Sequence, residues 1–232
     1  MLDLSHTENQ VRLVTGFQEL VSLPFQGEVN AMCWERQLAG DFSEIVRQVE
    51  LTDDLVALNE EQLRSLRLSP QGELAREVLL EDLELLKAQG AAPTLNVIRC
   101  YERDNANPFF PTDVYSFHVD RSPVPSDTFL CTYHGAPSQI LPNSQGIQKV
   151  LVPEIRQHIR QQFQGSDEDF EHFLTEQFLD LHYQAKPQAC PVSLGTGHMW
   201  RLAIDHPESP VLPCLHRAPE EKPGESRLLL IC

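Results

Sequence analysis

The run Val114-Tyr115-Ser116-Phe117-His118-Val119-Asp120 decides how this chain is read. In an extended strand successive side chains alternate between faces, so Tyr115, Phe117 and Val119 fall on one side and Ser116, His118 and Asp120 on the other. Residues i and i+2 then point the same way, about 6.6–6.8 Å apart along the strand, which lets His118 and Asp120 converge on one ion. On a helix the same pair diverges. The pattern predicts a strand whose apolar face packs on a core and whose polar face carries a site.

By itself the tripeptide says little. With 34 acidic residues and 9 histidines in 232 positions, about one His-x-acid arises by chance, so context has to carry the reading. That context is a second histidine, His216, in Leu215-His216-Arg217-Ala218-Pro219, followed by Arg227 at the head of Leu228-Leu229-Leu230-Ile231. Two histidines and one carboxylate form the ligand set that holds iron(II) on one face and leaves its other positions open. The competing reading is three ordinary core or surface side chains. For Arg227 two readings also stand: a cation awaiting an anion, or a solvated strand-end arginine paired with Glu221 or Glu225. The flanking leucines imply a strand buried on both faces, where a guanidinium is costly without an anion.

His-x-Asp, a distant histidine and then an arginine opening an apolar strand resemble the 2-oxoglutarate- and iron(II)-dependent dioxygenase superfamily. More narrowly, Phe117-His118-Val119-Asp120, Cys131-Thr132-Tyr133-His134-Gly135 and His216-Arg217-Ala218-Pro219 resemble the motifs of a bacterial family known only as a domain of unknown function. The resemblance covers most of the chain. It implies a double-stranded β-helix, with Fe(II) held by His118, Asp120 and His216. Arg227 would pair with the far carboxylate of 2-oxoglutarate through a fork of charge-assisted hydrogen bonds, and an unidentified small-molecule or protein substrate would be oxidised at a C–H bond. One position departs from the pattern: many such enzymes place Ser or Thr two residues after the arginine, and here Leu229 stands there.

Composition fits a globular protein. Hydrophobic residues make up 41% and charged residues 22%, which is ordinary for that class. No segment reads as a membrane span, and Met1-Leu2-Asp3-Leu4-Ser5-His6 lacks the basic and apolar regions of a signal peptide, so the expected location is cytoplasmic. Much of the net charge of −16 lies in residues 41–90 and 154–180. Both stretches read as helices, so the acidity is solvated helix surface, and it argues against a duplex nucleic-acid partner. The six cysteines include no C-x-x-C pair, which favours buried thiols over a zinc ribbon or disulfide framework.

Asp41-x-x-Glu44 and Ser166-x-x-Asp169 read as helix N-caps. Between Gly72 and Gly90, Leu74, Val78, Leu79, Leu83 and Leu86 form an apolar stripe with acids outward, and Phe170, Phe173, Leu174, Phe178 and Leu181 form another. Strands are expected at 94–102, 114–120, 128–134, 147–152, 198–204, 211–216 and 227–231, with prolines in connections such as Pro123-Val124-Pro125. Grouped rather than alternating helices favour a β-rich α+β fold, a jelly-roll or cupin-like barrel flanked by helices. One domain is expected: residues 1–92 as mainly helical support, and residues 93–232 as the metal-binding barrel with a helical insertion at about 153–183. No repeat, phosphate-binding glycine loop or nucleophile elbow is present.

Lesser candidates have two readings each. Tyr133 either hydrogen-bonds the oxo acid or is buried with its hydroxyl anchored. Cys214 shares strand parity with His216 and either approaches the metal or packs, and Cys131 is in register with Tyr133. Arg99 is a substrate or cosubstrate contact or a surface ion pair. His134 and His198 are partners behind the ligands or structural histidines, and Trp34 and Trp200 are core. Two other functional classes stay open: a cupin-like metal protein that uses no oxo acid, and a non-catalytic barrel kept for binding.

Overall fold

The computed structural model describes residues 2–7, 9–105, 109–222 and 224–232. In chain order the strands are β1 (Val11–Val14), β2 (Ala31–Trp34), β3 (Leu55–Leu58), β4 (Thr94–Ile98), β5 (Phe117–His118), β6 (Asp127–His134), β7 (Gln139–Leu141), β8 (Gly146–Gln148), β9 (His182–Ala185), β10 (Val192–Ser193), β11 (Met199–Ala203), β12 (Leu215–Arg217) and β13 (Arg227–Ile231). The helices are α1 (Phe17–Ser22), α2 (Phe42–Gln48), α3 (Glu60–Ser65), α4 (Pro70–Ala88), α5 (Pro153–Gln162) and α6 (Asp167–Glu176). The fold is α+β, with two curled, mostly antiparallel sheets. The large sheet runs β1-β2-β11-β6-β13-β4-β3 and the small one β10-β7-β12-β5-β9-β8, with β1 and β2 the parallel pair. From β4 to β7, and again from β10 to β13, the chain moves repeatedly between the two sheets.

Strand periodicity sorts the core into two layers. On one face of the large sheet Ile98, Leu130, Trp200, Leu202 and Leu229 meet Ile140, Val192 and Cys214 of the small sheet and its approaches. On the other, Leu95, Val97, Tyr133, Leu228 and Leu230 pack beneath Ile45 of α2 and Ala75, Leu79, Leu83 and Leu86 of α4. β13 is therefore buried on both faces, as its leucine run implies.

Four of the six described helices, α2, α3, α4 and α6, start where a short polar side chain takes a free backbone N–H group. Asp41 caps α2, and Ser166 with Asp169 makes a reciprocal box at α6. Ser69, followed by Pro70, opens α4 two residues before the expected Gly72. The stripe of α4 is also turned: Leu74 is exposed while Asp82 points inward at 2% exposure. Phe178 lies past the end of α6 with φ +56° and is exposed, so the second stripe stops earlier than its spacing suggests. Residues 1–92 carry four helices but also β1, β2 and β3, which extend the large sheet at both edges. The helical segment with α5 and α6 lies between β8 and β9. There Phe110, Val150, Ile159, Phe170 and Leu174 form a separate cluster. No described helix is long and apolar enough to cross a membrane.

Asp82 explains the fate of Tyr133. Arg36 donates to both its oxygens, at 2.7 and 2.8 Å, and the Tyr133 hydroxyl donates to one of them at 2.6 Å. Tyr133 also stacks on Phe42, 5.3 Å between ring centres. Alternation along β6 thus sends Tyr133 and Cys131 to the helix side, away from the small sheet. Removing one member of this group leaves a buried charge uncompensated. Asp82→Ala should accordingly cost about 3–5 kcal/mol in urea unfolding, and the apolar double variant Arg36→Met, Asp82→Leu should cost less than that single change.

Candidate metal centre

Arg217, His216 and Leu215 of β12 lie between β7 and β5, and the register sets His216 opposite His118 on one side and Ile140 on the other. The regular part of the expected strand 114–120 is only Phe117–His118, preceded by a turn, yet the alternation holds: Tyr115, Phe117 and Val119 are buried, while Ser116, His118 and Asp120 face the site. Side chains at directly opposed positions lie on one face. The two imidazole centres are 4.5 Å apart, and His216 Nε2 is 3.5 Å from Asp120 Oδ2. One ligand atom from each of His118, Asp120 and His216 lies within 4.8 Å of the others, and the group could hold a metal ion. Two donors each about 2.0–2.2 Å from one ion need nearly this closeness, so small side-chain rotations suffice.

The atoms behind the ligands select the useful tautomer. His118 Nδ1 is 2.8 Å from the Ser116 carbonyl, and His216 Nδ1 is 3.2 Å from the Cys214 carbonyl. A carbonyl only accepts, so each Nδ1 carries the hydrogen and each Nε2 keeps its lone pair for a cation. Burial, and then the neighbouring His216, pushes the His118 pKa down to about 4, which keeps that ring neutral. For Asp120, burial works against ionisation, but His216, the Thr128 hydroxyl and His118 together hold its carboxyl below the usual range. Thr128 donates its hydroxyl directly to Asp120 Oδ2. A neutral His118 ring and an ionised Asp120 carboxylate are protonation states that metal binding requires.

Arg227, at the start of β13, shares strand parity with Leu229 and so faces the small sheet. It is 3% exposed. Its guanidinium donates to the Ser138 hydroxyl at 3.0 Å and to the Tyr101 hydroxyl at 3.4 Å, while Nε has no partner. Glu221 instead takes the Tyr115 hydroxyl and approaches Arg103, and Glu225 pairs with Lys222. No carboxylate oxygen lies within 4.0 Å of Arg227 among the described residues. Thr132 Oγ1, on the same face of β6 as Leu130, is also buried without a partner. Gly135, at φ +81°, lets the chain pass over the arginine, since a Cβ there would lie 3.0 Å from Arg227 Cα and 2.8 Å from the Ser226 carbonyl.

No family model, curated protein or solved structure matches this chain.

The remaining sequence candidates lie elsewhere. Arg99 is a surface residue paired with Asp54 at 3.1 Å, both more than half exposed. The Cys131 thiol lies 3.4 Å from the Arg36 guanidinium on the helix side. Cys214 packs between the sheets, and its contribution to the centre is its carbonyl rather than its thiol. His134 ends β6 opposite Leu228, and among the described residues no hydrogen bond links its ring to the triad. His198 accepts from the backbone N–H of Arg36. Trp200 is fully buried with its indole N–H on the Leu194 carbonyl, whereas Trp34 is only partly buried. Sequence reading missed Thr128, Ser138, Tyr101 and the Ser116 carbonyl. Thr128 and Ser138 carry no local motif, and a carbonyl can come from any residue type.

Single Ala substitutions at His118, Asp120 and His216 should each abolish stoichiometric binding of a divalent transition metal, measured by elemental analysis after gel filtration. Thr128→Val, which removes only the support behind Asp120, should keep the stoichiometry while weakening affinity about 10- to 100-fold in a chelator competition. Full metal content in all three Ala variants would remove the centre.

Proposed function

We propose that this protein is an iron(II)- and 2-oxoglutarate-dependent dioxygenase on a double-stranded β-helix. The observation that carries the proposal is Arg227: a guanidinium nine-tenths buried, with an unpartnered Nε and no carboxylate oxygen within 4.0 Å among the described residues, on the same inter-sheet side as a His-Asp-His group. An unpaired buried cation costs several kcal/mol, and a bound anion removes that cost. The dicarboxylate fits because its two ends meet different demands, one carboxylate for the guanidinium and an oxo-acid end for the metal. The hydroxyl that family sequences place two residues after the arginine is replaced here by apolar Leu229, and Ser138 and Tyr101 supply hydroxyls from neighbouring segments instead.

The strand orders support the fold reading. β4-β13-β6-β11 in the large sheet and β5-β12-β7-β10 in the small sheet interleave along the chain, as a jelly roll requires. When bound, iron(II) supplies the activation of dioxygen that turns 2-oxoglutarate into succinate and carbon dioxide and leaves one oxygen atom on the substrate. The protein's own groups hold and orient. His118 and His216 present Nε2 because carbonyls hold Nδ1, Asp120 offsets part of the ion's charge, and Arg227 with Ser138 and Tyr101 fixes the far carboxylate. The layered apolar core between the sheets keeps water from the guanidinium, which strengthens each charge-assisted bond.

Arg227→Ala should leave metal content intact and weaken 2-oxoglutarate binding by about 3 kcal/mol or more, since charge-assisted hydrogen bonds contribute roughly 1.5–3 kcal/mol each. Arg227→Lys should recover only part, because the bidentate fork is lost. Calorimetry with manganese in place of iron reads this without turnover, and anaerobic reconstitution with iron(II) followed by oxygen should then yield succinate. Equal binding by the wild type and the Ala variant would exclude the oxo-acid reading.

A further inference from the structure

A second buried cation lies on the other side of the triad. Lys149, just past β8, is 7% exposed, and its ammonium donates to the Pro111 carbonyl at 2.8 Å and the Ser116 hydroxyl at 2.9 Å. Both acceptors are neutral. Asp113 and Asp104 act on it at longer range, and among the described residues no carboxylate oxygen lies within 4.0 Å of it. Beside it is His182 of β9, cross-strand partner of His118, with ring centres 6.2 Å apart. His182 is 9% exposed, and its Nδ1 has no hydrogen-bond partner. Phe110 bounds the place, with its edge toward His182 and the Lys149 ammonium 5.2 Å from its ring centre.

A row of inward side chains therefore crosses the small sheet: Ile140, His216, His118 and His182, with Lys149 beyond. Arg227 needs one anion and 2-oxoglutarate would provide it. Lys149 and the orphaned His182 ring nitrogen ask for a different one, on the far side of His118. We infer that Lys149 and His182 form an anion subsite beside the metal centre, which takes the carboxylate of a carboxylic-acid substrate. The role as a substrate subsite rests on the dioxygenase reading. Charge selects the ligand class: one ammonium balances one monoanion, and two N–H donors match the two oxygens of a carboxylate, whereas a phosphate dianion would leave excess charge buried. The subsite belongs to segments flanking the helical insertion, since β8 and β9 are the strands that the insertion joins and Phe110 packs into its cluster.

Propionate is a suitable probe, having one carboxylate and no chelating group. Saturation-transfer NMR on the whole protein, with and without manganese and 2-oxoglutarate, should show saturable propionate binding that 2-oxoglutarate does not displace. Manganese should broaden the propionate methyl signal, which places the bound molecule next to the centre. Lys149→Met should weaken binding at least about tenfold, the loss of one charge-assisted hydrogen bond, while Lys149→Arg retains most of it. His182→Phe, which keeps the ring and removes its nitrogens, should weaken binding independently and covers the case in which Lys149→Met does not fold. If 2-oxoglutarate fails to bind but propionate binds in a Lys149-dependent manner, the subsite stands and the cosubstrate assignment falls. Absence of saturable propionate binding, its displacement by 2-oxoglutarate, or unchanged affinity in both Lys149→Met and His182→Phe would overturn the subsite.

Discussion

The pairing of Leu215–Arg217 with Phe117–His118 is the contact on which the rest of the site depends. It joins residues far apart in sequence, and it does so in a register that fixes which side chains meet. Because side chains on a strand alternate with period two, a slip of one residue would turn His216 away from the triad and put Arg217 or Leu215 opposite His118. The register is held from outside the pair. β12 is clamped on its other edge by β7, with Ile140 opposite His216, and Leu215 and Cys214 anchor in the apolar layers on either side. Hydrophobic burial thus sets the register, and the polar cluster results from it.

The interior shows where a protein of this size accepts polar groups and at what cost. Asp82 and Arg36 are buried together, bidentate, with Tyr133 completing the acceptor's shell, so their charges are answered within the chain. Arg227 and Lys149 are buried as deeply but meet only hydroxyls and a carbonyl. The two arrangements differ in what they leave open. A complete network rigidifies the sheet against its helices, whereas an incomplete one leaves a buried cation that meets only neutral acceptors.

Positioning of the centre is shared among backbone and side-chain groups that have no chemistry of their own. The Ser116 and Cys214 carbonyls hold the imidazoles, the Thr128 hydroxyl holds Asp120, and Arg121 ties Asp180 and Asp205 together directly beside that ligand. Asp205 in turn donates its backbone N–H to the Asp120 carbonyl. Asp180 closes the helical insertion and Asp205 follows β11, so one arginine links three segments around the acidic ligand. Arg121 is about one-quarter exposed, so solvent screens these pairs and their value is geometric more than energetic.

The sequence by itself determined the alternation of residues 114–120, the double burial of the 227–231 leucines, the N-caps at Asp41 and Ser166, and the pairing of His118 with Asp120 on one face, which the structure joins to His216 in a group that could hold a metal ion. Each of these is local, set by strand period two, helix period 3.6 or the chemistry of one side chain. Its failures were also local. A stripe of five leucines and valines on α4 has room for more than one rotation, and only the buried Arg36 made Asp82 rather than Leu74 the inward residue. Short edge strands such as β1, β3 and β10 hold too few residues for a periodic signal, and they form because a neighbouring strand offers its free N–H and C=O groups. The direction of Tyr133 and Cys131, toward helices instead of the small sheet, follows from which face of β6 the helices cover. The hydroxyls of Ser138, Tyr101 and Thr128 reach their partners through long-range sheet pairing that no spacing in one sequence encodes.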